Sequence, residues 1–184
     1  MLGTLLFVSS VVISLVACQY ATKATCFMQP DPASSQLVNG TVTFTQACAT
    51  DLISITVQLQ GFSPTLPDGS NSVHGFHIHA YGDISEGCGS TGGHYNPLGE
   101  NHGAPEDTIR HVGDFGNQPQ TADGRMNVTF TDPVASLFGP YSIIGRAVVV
   151  HAGVDDLGKG GNPSSLANGN AGSRLACCVI GVAP

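Results

Sequence analysis

Short runs in which apolar and polar residues alternate restrict the fold of this chain more than any other feature. The clearest runs are residues 41–45 and 53–59. Because the pattern repeats every two residues, one face of each run points towards a core and the other towards water, which predicts half-buried strands. Shorter runs of a similar kind lie at 24–28, 75–79, 126–130, 147–150 and 176–182. Seven or eight strands separated by turn residues predict an all-β barrel or sandwich.

The composition indicates a single domain of this kind with long loops. The chain has 184 residues, of which 41% are hydrophobic, enough for one core. Only 10% of the residues are charged, whereas there are 24 glycines and 11 prolines, which favours turns over helices. Two glycine-rich stretches, 82–109 and 152–173, are too long for tight turns. Long loops in a compact domain are usually functional.

The charge balance excludes two classes of partner. The formal net charge is −7, and lysine and arginine together number six. A nucleic-acid-binding surface needs many cations, because phosphate contacts dominate its affinity. Binding to an anionic membrane surface also depends on clusters of basic residues. We therefore expect neither nucleic acid nor a membrane as a partner.

The first residues predict a secretory signal. Residues 2–17 are almost wholly apolar and uncharged, and they are shorter than the roughly 20 residues of a spanning helix. The predicted signal is 1–18, with cleavage after Ala17 or Cys18, and the folded domain is 19–184. Two alternatives are a lipid-bearing Cys18 and a buried core helix. If the protein is secreted, the sequons at Asn39 and Asn127 are expected sites of N-glycosylation.

Six of the seven histidines, together with one aspartate, form an ordered series that predicts two metal sites. Residues two apart on a strand point to one face, so His77 and His79 present neighbouring imidazoles. His94 is the natural shared ligand, since an imidazole without its two protons can join two metals. The first predicted set is His77, His79, His94 and His151, and the second is His94, His102, His111 and Asp114. Three nitrogens and a carboxylate oxygen suit tetrahedral zinc.

Residues 21 to 182 resemble the copper/zinc superoxide dismutase family. The matching blocks read HGFHIH, GGHYNP, HVGDFGN, GRAVVVH, DDLGKGGN and GNAGSRLAC, and they begin at residues 74, 92, 111, 145, 155 and 169. The resemblance implies a flattened eight-stranded Greek-key β-barrel with two long functional loops. It also assigns copper to the first histidine set and zinc to the second, one ion of each per subunit.

The resemblance implies a secreted antioxidant enzyme that dismutates superoxide to oxygen and hydrogen peroxide by copper redox cycling. Arg174 is expected to dock the anion, and His94, held by zinc, is expected to supply a proton. Asp155 is expected to hydrogen-bond to His77 and His102, and His74 is expected to bind no metal. The alternatives are an extracellular copper/zinc carrier with little catalysis and an adhesion domain.

The cysteines resemble those of the extracellular branch of the family. The family as a whole implies a disulfide between Cys88 and Cys177. The extracellular branch implies a second one, between Cys178 and a cysteine near the start of the domain, and Cys26 is the best candidate because the first and last strands are neighbours. The assignment of Cys48 stays open between a thiol, a bond to Cys18 and a link between subunits.

Three further expectations concern the surface of the protein. The resemblance implies a homodimer with Ile144 and Val182 at the interface. No basic tail for binding sulfated glycans is expected. Residues 162–168 carry no charge, so long-range steering of superoxide should be weak.

Overall fold

The computed structural model describes residues 22–66, 69 and 72–184, so the predicted signal segment 1–18 lies outside the described residues. The described residues form one short α-helix, α1 (Pro163–Asn168), and two short 3-10 helices, Gly89–Thr91 and Gly139–Tyr141. None of the helices in the described part is long and apolar enough to cross a bilayer. The strands described are β1 (Lys23–Pro30), β2 (Asn39–Thr45), β3 (Ile53–Gln60), β4 (Val73–His79), β5 (Ser85–Cys88), β6 (Asp114–Pro119), β7 (Arg125–Asp132), β8 (Ala147–His151), β9 (Arg174–Val179) and β10 (Gly181–Val182).

The strands form a nearly closed antiparallel barrel. Eight of them pair edge to edge in the order β6, β4, β8, β9, β1, β2, β3, β7, and β10 pairs with β1. Neighbours in space are often distant in sequence, because β8 lies beside β4 and β9 beside β1. Such crossovers between antiparallel strands are the Greek-key connection. The predicted all-β fold and eight-stranded barrel are therefore confirmed.

The core follows from the alternation in the sequence. In β3, the side chains of Ile53, Ile55 and Val57 are fully buried, and the serine and threonine between them are half-buried. In β2, Val42 and Phe44 alternate in the same way and face the same interior. Burying a side chain of this size contributes about 1.5–3 kcal/mol. The barrel interior is thus an apolar core rather than a channel.

The structure departs from the predicted elements in three places. Strands β5 and β6 were not predicted, because their sequences SEGC and DFGNQP lack regular alternation. The predicted run 176–182 is two strands, since β9 pairs with both β8 and the end of β1, whereas β10, after Ile180, pairs with the start of β1 alone. The stretch 152–173, expected to be irregular, contains α1, which begins where the Asn162 side chain accepts a hydrogen bond from the Ser165 amide at 3.0 Å.

A buried ion pair joins the two end strands of the barrel. In the described part of the chain, β6 and β7 share no backbone ladder. Arg110, just before β6, donates from Nη1 to the carbonyl of Asp114 at 3.0 Å and from Nη2 to the carboxylate of Asp132 at the end of β7. Both side chains of the pair are 2% exposed. A side-chain contact therefore closes the barrel where hydrogen-bonded strand pairing stops.

Candidate metal centre

Four buried histidines converge at one end of the barrel. His77 and His79 lie two apart on β4, and the pairing of β4 with β8 brings His151 beside them. His94 joins them through a single β-bridge to His79. One ligand atom from each of these four residues lies within 4.8 Å of the others. The structure thus brings together the first predicted set of ligands.

The outer nitrogens of the strand histidines are already hydrogen-bonded, and this fixes which nitrogens face the centre. His77 Nε2 donates to Asp155 at 2.9 Å. His79 Nδ1 donates to the carbonyl of Gly92 at 2.8 Å, and His151 Nδ1 donates to the carbonyl of Gly172 at 3.1 Å. His77 Nδ1, which has no hydrogen-bond partner, and the Nε2 atoms of His79 and His151, which lie 3.3 Å from each other, are the nitrogens left to face the centre. Such outer hydrogen bonds select the tautomer and orient the ring.

A second group of ligands meets at the carboxylate of Asp114. Its Oδ1 lies 2.8 Å from His94 Nδ1, 3.0 Å from His102 Nδ1 and 3.1 Å from His111 Nδ1. The second oxygen accepts the backbone amides of His111 at 2.8 Å and Gly103 at 3.2 Å. This is the second predicted set, and all four members are buried.

Unsatisfied buried nitrogens show that both groups fit metal ions. His77 Nδ1, His94 Nε2 and His102 Nδ1 are buried without a hydrogen-bond partner. His102 Nδ1 approaches Asp114 closely, but not in hydrogen-bonding alignment. Buried polar atoms are rarely left without a partner, because each costs free energy. Imidazole nitrogens suit both copper and zinc, and the added carboxylate suits zinc. Bound copper and zinc ions would therefore satisfy these buried nitrogens.

Asp155 links the two groups. One carboxylate oxygen accepts from His77 Nε2 at 2.9 Å, and the other accepts from His102 Nε2 at 2.7 Å. Gly169, with φ of 66°, makes room for this link, because a Cβ there would collide with both Asp155 and His102. The predicted contacts of Asp155 are present in the structure.

The pKa of His102 is shifted in the opposite direction from the pKa values of the three strand histidines. Burial lowers the pKa of His77 and His79 well below the ordinary 6.5, and it lowers the pKa of His151 to about 4. Burial acts in the same sense on His102, but the nearby Asp114 carboxylate and the hydrogen-bonded Asp155 carboxylate favour its protonated form more strongly and raise its pKa to about 9. The strand histidines are therefore neutral at pH 7, as metal ligands must be.

Arg174 faces the first group from the start of β9. Together with His79, His94 and His151 it lines a cavity of about 520 Å³. The remaining wall includes Ser164, Ala167, Asn168 and Asn170, from α1 and the turn after it, and these residues carry no charge. The guanidinium is the one cationic group among the described lining residues, and it suits a small anion.

His74 lies outside both groups. Its Nδ1 lies 2.8 Å from the carbonyl oxygen of His151, and its Nε2 lies 3.0 Å from Gln120 Oε1. Its ring packs on Phe62 with centroids 4.7 Å apart. These contacts occupy both nitrogens and support the backbone at His151, so His74 is not placed as a ligand.

Two disulfides hold the barrel near this centre. Cys88 is bonded to Cys177 and Cys26 to Cys178, with Cα atoms 5.6 and 5.5 Å apart. Both are the pairs that the resemblance implied. Cys48 is exposed in the turn after β2, and Cys18 lies outside the described residues, so the assignment of Cys48 stays a prediction.

Two residues of the centre were missed from the sequence. Thr91 contacts the Arg174 guanidinium at 2.9 Å, and Arg110 holds the backbone of Asp114. Thr91 lies in a glycine-rich turn that gives no sign of its contacts. Arg110 could have been singled out from the sequence, because it immediately precedes the predicted ligand His111 in a chain with only six lysines and arginines.

A nearly closed β-barrel with two histidine-rich sites that share one imidazole defines a class of two-metal protein. Comparison with known sequences names the family. Residues 38–180 match the profile of copper/zinc superoxide dismutases. The chain is 51% identical over 145 residues to a Cu-Zn superoxide dismutase of Candida glabrata, covering 79% of this chain and 90% of that protein. A Cu-Zn superoxide dismutase of Cryptococcus neoformans var. grubii is 49% identical over the same length and coverage.

The chain therefore belongs to the copper/zinc superoxide dismutase family. It is an oxidoreductase whose cofactors are copper and zinc.

Proposed function

We propose that the chain acts outside the cell as a superoxide dismutase, with copper held by the first histidine group and zinc by the group around Asp114. The observation that carries the residue assignment is the position of His94. Its Nδ1 lies 2.8 Å from Asp114, whereas its Nε2 is buried without a hydrogen-bond partner beside the strand histidines. One ring thus offers a nitrogen to each metal.

The chain's own residues divide the work of the reaction. Bound copper supplies electron exchange by changing its oxidation state. Arg174 binds and orients the anion, since a guanidinium stays charged at any working pH. His94 is placed to hold a proton at Nε2 while Nδ1 stays fixed on the zinc side, which makes it the candidate general acid. The uncharged cavity wall leaves Arg174 as the local attraction for superoxide.

Metal analysis combined with a superoxide-decay assay tests this assignment. The wild-type protein should bind one copper and one zinc and be active, and His94→Ala should lose activity with weaker binding of both metals. Arg174→Leu should keep both metals but lower kcat/KM about tenfold or more, because a directed charge-assisted contact is lost. Arg125→Leu, at an exposed arginine, is the control and should match wild type. A fully loaded but inactive wild-type protein would instead favour a metal carrier.

Secretion is the second part of the proposal. The apolar segment 2–17 supports it, as do two disulfides, which persist in oxidising compartments. Asn127 is exposed on β7, and Asn39 is half-buried at the start of β2. Expression of the full chain in a eukaryotic host should deliver protein to the medium with an amino terminus at residue 18 or 19. Treatment with an N-glycosidase should lower its mass, whereas retention in the cell would contradict secretion.

We further propose a homodimer. Val182 is 62% exposed in β10, which leaves an apolar side chain at the surface beside β1. Ile144 is half-buried, and the amide of the next residue, Gly145, donates to the carbonyl of Ile180, two residues before Val182. Sedimentation should show a dimer at micromolar concentration, and Val182→Asp should shift it to monomer. A wild-type monomer under these conditions would refute the dimer.

A further inference from the structure

The guanidinium of Arg174 is held by one short segment. Nη1 donates to the carbonyl of Cys88, to the carbonyl of Gly89 at 3.3 Å and to the hydroxyl of Thr91 at 2.9 Å. Nη2 donates to the carbonyl of Gly92 at 2.6 Å. Three of these acceptors are backbone atoms. Within the described part of the chain, Thr91 is the side chain that hydrogen-bonds to this guanidinium.

The direction of the Thr91 contact is fixed. The residue is fully buried, and its hydroxyl donates its single proton to the carbonyl of Cys88 at 2.8 Å. Because that proton is committed, Thr91 Oγ1 meets Arg174 Nη1 with a lone pair. Thr91 and Cys88 therefore form a linked pair of acceptors that sets the plane of the guanidinium.

The segment that carries these acceptors is itself tied to β9. The backbone amide of Cys88 donates to Asp31 Oδ2 at 2.7 Å, and the amide of Asp31 donates to the carbonyl of Leu175 at 2.9 Å. The disulfide between Cys88 and Cys177 makes a second, covalent tie. Thr91 thus contacts Arg174 from a fixed support, so a change in its hydroxyl should act on the arginine rather than on the loop as a whole.

We propose that Thr91 is a positioning residue that aims the Arg174 guanidinium at the anion-binding face of the copper site. The inference rests on the proposed role of Arg174 in docking superoxide. The hydroxyl limits rotation of the guanidinium, so less freedom is lost when the anion binds. The three backbone acceptors keep the arginine near the cavity without Thr91, but they do not hold it as firmly in one orientation.

Anion affinity measured apart from turnover tests this inference. Azide, a small anion, is titrated by absorption into copper- and zinc-loaded protein. Thr91→Val keeps the shape of the side chain but removes the hydroxyl, and it should raise the azide Kd about three- to tenfold, as expected for loss of a hydrogen bond to a charged group. The KM for superoxide should rise more than kcat falls. Ser90→Ala is the matched control, because this neighbouring hydroxyl bonds within the turn and not to Arg174.

A second pair of variants isolates the hydroxyl if Thr91→Val does not fold. Thr91→Ser and Thr91→Ala both lack the methyl group and differ in the hydroxyl alone. Thr91→Ser should lie within about twofold of wild type in azide Kd, and Thr91→Ala should show the full weakening. Equal azide affinity of the serine and alanine variants would overturn the inference.

Arg174→Leu separates this inference from the proposed function. If Arg174→Leu weakens azide binding and Thr91→Val does not, the role of Thr91 is wrong while that of Arg174 stands. If Arg174→Leu leaves azide affinity unchanged, the proposed docking role fails, and the role of Thr91 fails with it.

Discussion

The two halves of the metal centre are built from different kinds of backbone. The proposed copper side takes His77, His79 and His151 from the paired strands β4 and β8, whose positions the barrel fixes. The proposed zinc side takes His102 and His111 from a long loop, and they meet at Asp114, where β6 begins. The copper side is thus set by the fold, whereas the zinc side depends on contacts that the loop makes for itself. The two halves should respond differently to the same kind of change.

The groups that hold the ligands in place also differ between the two halves. His79 and His151 donate to backbone carbonyls, which no substitution removes directly. On the zinc side the convergence point is a carboxylate, and the loop beyond it is fastened to the barrel by Arg110 and Asp132. Single side chains can therefore be changed to separate the two halves.

Asp132→Ala should have the largest effect, because it releases the zinc loop from the barrel. It leaves Arg110 as a buried charge without its partner, which typically costs about 3–5 kcal/mol of folding free energy. Chemical denaturation of the metal-free protein measures the loss. Asp123→Ala, which breaks the exposed pair with Arg125, should change stability little. Equal effects of the two variants would show that the buried pair does not fasten the loop.

Asp114→Ala should separate the two metals. Zinc affinity should fall about 100-fold or more, since outer-shell changes alone cost about 10–100-fold and this change removes a ligand. Copper affinity should fall less than about tenfold, because three copper ligands stand on strands or at a strand end. Competition titrations with chelators measure both, and Asp107→Ala in the same loop is the control. Parallel losses of copper and zinc would contradict the independence of the copper side.

The metal-free protein should lose stability on both sides of pH 6.5, for opposite reasons. The pKa of His151 is about 4 in the folded protein, so between pH 6.5 and 4 the unfolded chain binds a proton there and the folded protein does not. The free energy of unfolding therefore falls as the pH falls from 6.5 towards 4. His102 has a folded pKa of about 9, so its contribution is complete below pH 6.5 and is lost as pH rises towards 9. Denaturation midpoints across this range test both slopes.

Single variants show which half of the centre causes the change of stability with pH on each side of pH 6.5. His102→Gln should flatten the alkaline slope and leave the acid slope, and His151→Gln should weaken the acid slope. If His102→Gln removed the acid slope instead, the opposite protonation behaviour of the two sides would be refuted.

The smallest effect should be that of salt on turnover. The wall formed by Ser164, Ala167 and Asn168 is uncharged, so screening has little exposed charge to act on there. Between about 0.01 M and 0.15 M ionic strength, kcat/KM should fall less than about twofold. Asn168→Lys adds a cation to the cavity wall and should raise kcat/KM at low salt and steepen the dependence. A steep salt dependence of the wild type would contradict the prediction.

The sequence predicted what periodicity and residue chemistry determine. The pattern of β3 and the spacing of His77 and His79 depend on the period of a strand, which is visible along the chain. Strand β6 was missed because its sequence, DFGNQP, carries glycine, asparagine and proline, and long-range pairing with β4 stabilises it. The contact between Thr91 and Arg174 joins residues 83 positions apart, so no local pattern predicts it.

The sequence also could not predict how the ligands of the metal centre are oriented. The order of the histidines predicted the two ligand groups, but the sequence did not assign the nitrogen that each imidazole presents. That choice depends on outer partners such as the carbonyls of Gly92 and Gly172, which only the folded backbone brings into place.

The disulfide between Cys26 and Cys178 encloses nearly the whole domain, with the two cysteines 152 positions apart in the chain. A protease that cuts one peptide bond anywhere between them leaves the fragments covalently joined. Because loops such as 152–173 contain exposed glycine and serine residues, they are the natural places for such cuts. A molecule cut once in this way would gain only the mass of one water and would run as one species until its disulfides were reduced. If the protein is secreted as proposed, this property would extend its working life among extracellular proteases.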